Sequence, residues 1–213
     1  MTSKEGLDEQ TLALVRFAAA TAQGEEAELR ERIQELREAE VPVAWIEELL
    51  LQSVLMIGYP RALVATAAWR KLGQVAAPAG DPDADYTRAP EWVRRGEQVC
   101  RTVYGDNYGK LRENITALHP ALDAWMITEG YGRTLARPGL DLLRRELCVV
   151  AQTAVMDTPR QLHSHLRGAL NAGATEQQID ATLAAVNPLL ALDHWKRIKE
   201  LWRGVRDNRS ARA

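Results

Sequence analysis

The chain has 213 residues, with 27 Lys and Arg against 29 Asp and Glu and a formal net charge of −2. That length suits one large domain or two small ones, and 46% hydrophobic with 26% charged residues excludes disorder throughout. The near-neutral balance gives no electrostatic reason to expect nucleic acid as a partner. Two cysteines, Cys100 and Cys148, are too few for a disulfide scaffold and point to a reducing, cytoplasmic compartment. No stretch approaches ~18 uninterrupted apolar residues, so no membrane span is expected. The polar, acidic start lacks the apolar core of a signal peptide.

Composition also sets the fold class. Ala (32 residues) and Leu (27 residues) lose little on entering a helix, and the single Phe leaves few strand formers, so the chain reads as all-α. In chain order, Leu12, Val15, Ala19 and Ala22 mark one helix face. Glu25 to Glu40 is highly charged, with Leu29, Ile33 and Leu36 as a narrow apolar stripe. Val43 to Ile57 is apolar on most sides and should be central. Gly58-Tyr59-Pro60 breaks the chain before a helix from Arg61 to Leu72. From Gly73 to Pro90 the prolines remove amide donors and fix φ, which predicts a linker between residues 1–72 and 91–213.

Beyond it, Trp92 to Tyr104 is one amphipathic helix, and His119-Pro120 opens another that should end at Gly130-Tyr131-Gly132. The loop Ala136-Arg137-Pro138-Gly139 precedes a long helix from Leu140 to about Met156. Pro159 suits the first turn of the next helix, with Gly173 as its left-handed C-terminal cap. Thr175 and Gln178 form a capping box, and two helices finish the chain, separated near Asp193.

The two parts repeat one another. Ile46 and Ile179 begin equivalent helices, and the same offset of 133 positions aligns Leu14 with Leu147, Leu29 with Leu162 and Trp69-Arg70 with Trp202-Arg203. A duplicated helical unit of this kind can stand for two subunits of an ancestral oligomer.

From Trp92 onward the sequence resembles the carboxymuconolactone decarboxylase family, relatives of the alkylhydroperoxidase D-like proteins. The resemblance is carried by Arg95-Gly96, Val103-Tyr104-Gly105-Asp106, Gly130-Tyr131-Gly132, Arg137-Pro138-Gly139-Leu140-Asp141, Arg145-Glu146-Leu147 and the run from His165 to Gly173. It returns in the first copy through Glu47 to Gln52 and Gly58 to Ala62. The resemblance implies a duplicated unit of the alkylhydroperoxidase D-like fold, assembled into a ring that three chains would complete as a homotrimer.

Two departures bear on activity. The peroxidase branch has a C-x-x-C pair where this chain has Thr158 and Gln161, so the low-pKa thiolate and its resolving partner are missing there. The family's glutamate and histidine fall on Glu146 and His165 in the second copy, but on Ala13 and Arg32 in the first. Conversely, the Gly-Tyr-Pro turn of the first copy becomes Ala191-Leu192-Asp193.

The resemblance therefore implies a cofactor-independent decarboxylase acting on a small carboxylated lactone, with His165 as proton donor and Glu146 as its partner. Arg137, in a Pro-Gly loop, would anchor a substrate carboxylate or else stabilise the loop through backbone carbonyls, and Tyr131 would place its hydroxyl in a cleft or else plug a helix end. His163 lies two residues from His165, so the pair points to different sides of a helix and cannot hold one metal. No histidine spacing suggests a metal site, and neither metal nor organic cofactor is expected. The competing expectation is a helical oligomer that kept the fold, lost the chemistry and serves as a scaffold or regulator.

Overall fold

A computed structural model describes residues 6–211. The polar residues 1–5 lie outside the described part. Among the described residues there are helices, turns and no strand. The first copy runs through α1 (Glu9–Gln23), α2 (Glu26–Glu38) and α3 (Val43–Gly73). Then come α4 (Ala89–Tyr104), α5 (Tyr108–Leu118), α6 (Pro120–Trp125) and a π-helical stretch, Met126–Leu135. The second copy is α7 (Leu142–Val155), α8 (Pro159–Asn171), α9 (Glu176–Val186) and α10 (Leu192–Ser210).

The 133-residue register survives in backbone and hydrogen-bond detail. Asp8 and Asp141 are equivalent N-caps, accepting from Thr11 N at 2.7 Å and Arg144 N at 3.0 Å. Gly24 and Asp157 both have positive φ, as do Glu40 and Gly173, so the helix-ending turns match. Trp69 Nε1 donates to Glu47 at 2.8 Å, and its equivalent Trp202 Nε1 donates to Asp180, the equivalent of Glu47, at 2.7 Å. Composition alone does not produce matched caps, turns and indole partners. The chain is a duplicated all-α unit.

The copies share one core. Leu14, Phe17 and Ala18 of α1 join Leu147, Val150 and Ala151 of α7 in a single apolar cluster with Leu49 and Trp69. Arg144 on α7 reaches the Thr11 hydroxyl at 2.9 Å, and Thr11 occupies the position equivalent to Arg144. The two copies therefore meet about a local pseudo-twofold axis between α1 and α7.

Several expectations need adjustment. The break at Gly58 is a kink within one helical path: Gly58 takes φ 70° and ψ 167°, open to glycine, and Pro60 then sits in the first turn of the second segment. The helix opened by Pro120 does not stop at Gly130-Tyr131-Gly132 but widens into the π-helix through Leu135. There Thr134 Oγ1 donates to Glu129 O at 2.7 Å and Ala136 N to Tyr131 O at 2.8 Å, both five residues back. A β-carbon on Gly132 would lie 2.0 Å from the Trp92 carbonyl, so glycine permits the near-contact of this stretch with α4. α3 reaches the length and hydropathy of a membrane span. Its inner face, with Ile46, Leu49 and Trp69, nevertheless belongs to the shared core.

The Pro-rich segment leaves helix as expected, but it is pinned to the body. It turns twice, at Pro82–Ala84 and Tyr86–Arg88. Asp83 is buried, accepting from Trp92 Nε1 at 2.8 Å and pairing with Arg95 at 2.7 Å. Arg137 joins Asp83 at 3.1 Å, Asp81 at 2.6 Å and Glu48 of α3 at 2.9 Å. Glu48 in turn holds Arg145, fully buried on α7, at 2.7 Å. Arg145 also donates to Gln52, Leu140 O and Arg137 O, so every face of the guanidinium is occupied.

This chain of charges links both copies to the intervening segment, and its inner end is out of water. Glu48→Ala should strand the Arg145 cation and destabilise the fold by about 3–5 kcal/mol. Calorimetry should show a fall in Tm on the order of 10 °C, whereas Arg30→Ala, which removes an exposed pair with Glu26, should leave Tm nearly unchanged.

Candidate active site

Three polar side chains of α7 are 0% exposed, Arg145, Glu146 and Gln152, and Glu146 is the carboxylic acid among them. Its neighbours Leu147, Cys148, Val149 and Val150 are also fully buried, so its carboxyl group cannot reach water along the helix. Room for it is made by α8. A β-carbon on Gly168 would lie 2.5 Å from Glu146 Oε2 and 2.7 Å from Val103 Cγ1, so only glycine leaves space there. Three residues earlier, His165 Nδ1 meets Glu146 Oε2 at 2.9 Å, and His165 is 7% exposed.

With Nδ1 donating to the carboxylate, Nε2 is the nitrogen left over; it makes no hydrogen bond among the described residues. The other carboxyl oxygen, Oε1, is buried with no partner. An unpaired buried acceptor costs about 1–3 kcal/mol, which a stable fold tolerates mainly where the group has work to do.

Tyr131 and Tyr104 complete the surroundings. Their rings meet edge to face with centroids 6.2 Å apart. Burial pushes the Tyr104 phenol up to about 12 and the Tyr131 phenol well above its ordinary value, with the Glu146 carboxylate adding to both shifts. Both phenols therefore stay protonated at neutral pH and can donate to an oxyanion. Tyr104 and Cys100, which also senses Glu146, were not singled out from sequence. The signal available was position: both lie on α4, and Gly96 and Val103 place that helix against the π-helix and α8.

The structure thus brings together His165, Glu146 and Tyr131 but employs Arg137 elsewhere. The expected substrate anchor is committed to Glu48, Asp81 and Asp83. The physical reason is that two of those carboxylates are buried and need a cation, and a β-carbon on Gly139 would collide with Glu48, which fits the Pro-Gly loop around that ion pair. His163 lies half-buried on another side of α8. Among the described residues no group of three His, Cys, Asp or Glu is arranged to hold a metal ion.

The first copy shows what loss of the site looks like. Ala13 stands at the glutamate position, and Arg32 at the histidine position pairs with Glu28, Glu31 and Glu35 on its own helix. Glu35 itself occupies the position of Gly168, so the space is gone.

Neither cysteine has a thiolate role available. Cys100 and Cys148 are buried and unpaired, and burial pushes both thiols up to about 12. Raising a thiol from 9 to about 12 cuts the thiolate fraction at pH 8 from about one in ten to about one in 10⁴. A thiol reagent at pH 8 should therefore leave the folded protein unlabelled and modify two thiols after denaturation; rapid labelling of the native protein would contradict the buried placement.

No curated protein matches the chain. A family model does, over residues 1–71 and 120–202, so both copies and both members of the Glu146–His165 pair fall within the match. α4 and α5, with the Arg95-Gly96 and Val103 to Asp106 stretches, lie between the matched segments. The chain belongs to the carboxymuconolactone decarboxylase family.

Proposed function

We propose that the protein is a cofactor-independent lyase that decarboxylates a small carboxylated lactone, as in the breakdown of aromatic compounds. The observation that carries this reading is the buried His165–Glu146 hydrogen bond, with the protonated phenols of Tyr104 and Tyr131 within reach of the Glu146 charge. In a γ-carboxylated butenolide, the bond to the carboxylate breaks and carbon dioxide leaves. The electron pair passes through the ring double bond to the lactone carbonyl oxygen, giving a stabilised dienolate, so the substrate itself is the electron sink. A phenol hydroxyl of Tyr131 or Tyr104 stabilises the developing oxyanion. His165 Nε2 then gives a proton to carbon, Glu146 holds the imidazole through Nδ1, and solvent restores the proton.

A positioned acid of this kind contributes typically about 10²–10⁴-fold in rate. His165→Ala and Glu146→Gln should each lower kcat by at least about 100-fold in an assay of carbon dioxide release, with melting curves confirming the fold. Undiminished turnover in both variants would remove these residues from the mechanism.

A second reading, a catalytically lapsed oligomer with a scaffold or regulatory role, has its own support. The first copy has lost both residues, and five surface cavities, of about 210 to 560 Å³, are lined by neither Glu146 nor His165. It predicts no carbon dioxide release from any lactone by a protein that still self-associates.

Self-association, with three chains to a ring, is part of both readings. Its support is a set of exposed apolar side chains on both sides of the Gly58 kink in α3, Leu51 and Leu55 before it and Tyr59 and Leu63 after it. Sedimentation should give a trimer for the wild type and a folded monomer for Leu55→Glu/Leu63→Glu; a wild-type monomer would rule assembly out. The reducing cytosol is the proposed compartment, supported by the two free thiols.

A further inference from the structure

With Arg137 committed to the buried carboxylates, the proposed reaction lacks a group to bind the substrate's negative charge. The surface in front of the His165–Glu146 pair supplies one. A cleft lies between α8 and the segment joining α4 to α5, formed by two adjoining cavities of about 460 and 210 Å³. Tyr104, Asn107, His163, Arg167 and Asn171 line both cavities, and Lys110 lines the smaller one.

The charges in this cleft are unusual for the molecule. Elsewhere the half-buried arginines are paired: Arg95 with Asp83, Arg112 with Asp123, Arg133 with Glu129, Arg144 with Asp141. Arg167 is also half-buried, yet it makes no hydrogen bond or ion pair among the described residues, and neither does the side chain of Lys110. His163 shares both cavities with Arg167, and its imidazole is held below its ordinary value by burial and then by the Arg167 charge itself. Arg167, Lys110 and Arg209 thus line one space in which Asp106 is the one carboxylate. An anionic ligand would relieve that repulsion and find a guanidinium with its donors free.

The cleft also touches the buried pair. Val103 and Ser164 line its smaller lobe. Val103 Cγ1 and Glu146 Oε2 both crowd the space beside Gly168, so the carboxyl group lies directly behind the cleft wall. Tyr104 is part of that wall, and its ring meets the Tyr131 ring edge to face.

We propose that this cleft is the docking site for the anionic substrate, with Arg167 as the carboxylate anchor and Tyr104 as the hydroxyl through which the bound molecule meets Tyr131, Glu146 and His165. The assignment rests on the lyase reading above and extends it to a substrate class: small unsaturated compounds with a carboxylate.

Muconate, a stable unsaturated dicarboxylate, is a suitable probe by titration calorimetry. The wild type should bind it, and its dimethyl ester should not bind. Arg167→Gln should weaken binding at least tenfold with an unchanged melting curve, because Arg167 supports no other contact. No binding by the wild type up to about 10 mM, or equal binding by Arg167→Gln, would overturn the assignment. The two claims separate cleanly. Muconate bound through Arg167 by a protein that releases no carbon dioxide from lactones upholds the cleft and sinks the lyase reading. Turnover with a KM unchanged in Arg167→Gln sinks the cleft alone.

Discussion

A carboxyl group buried in the middle of an apolar helix is the constraint around which the second copy is arranged. Glu146 has no water, and no arginine or lysine bonds it; its bonded partner is the His165 imidazole. Burial of such a group is tolerable only with a hydrogen bond of good geometry. Three features serve that end. Gly168 leaves the volume, the equivalence of α7 and α8 with α1 and α2 fixes the helix crossing, and Tyr131 with Tyr104 closes the space above. The same confinement that makes the pair expensive also orients the imidazole, since one nitrogen is tied to Glu146.

Duplication explains how the fold can carry this cost. The two copies share one apolar core around α1 and α7, so neither must be stable alone. The first copy has given up the glutamate, the histidine and the glycine gap and keeps an ion cluster on α2 instead. It contributes Glu48 and Gln52, which neutralise and bond the Arg145 side chain beside the site. One copy has become support for the other. The segment between them acts as a clasp, because Asp81 and Asp83 extend the Glu48–Arg137 pair to α4.

Much of this was legible in the amino-acid order. Helix class follows from Ala and Leu content, and the 133-residue register was visible because Leu14, Leu29 and Trp69-Arg70 recur as Leu147, Leu162 and Trp202-Arg203; the structure adds that the two indoles bond equivalent carboxylates, Glu47 and Asp180. The Glu146–His165 pairing could be read from family likeness and spacing. Arg137 misled because a sequence shows a cation in a loop but not the distant carboxylates, Glu48 and Asp81, that already claim it. Tyr104 and Arg167 were missed for the opposite reason: their meaning lies in who faces them across α4 and α8, which no local pattern encodes. The π-helix was hidden because Gly130-Tyr131-Gly132 looks like a stop, whereas Gly132 is there for its close approach to Trp92.

The central claim is that one buried, oriented imidazole delivers the proton that replaces carbon dioxide. The most direct measurement is to run the decarboxylation in deuterium oxide and read the product by NMR. A proton donor fixed behind a cleft wall reaches one face of the dienolate, so the product should carry one solvent deuteron at the protonated carbon, in a single configuration. An equal mixture of both configurations, as free solution protonation would give, would contradict the account.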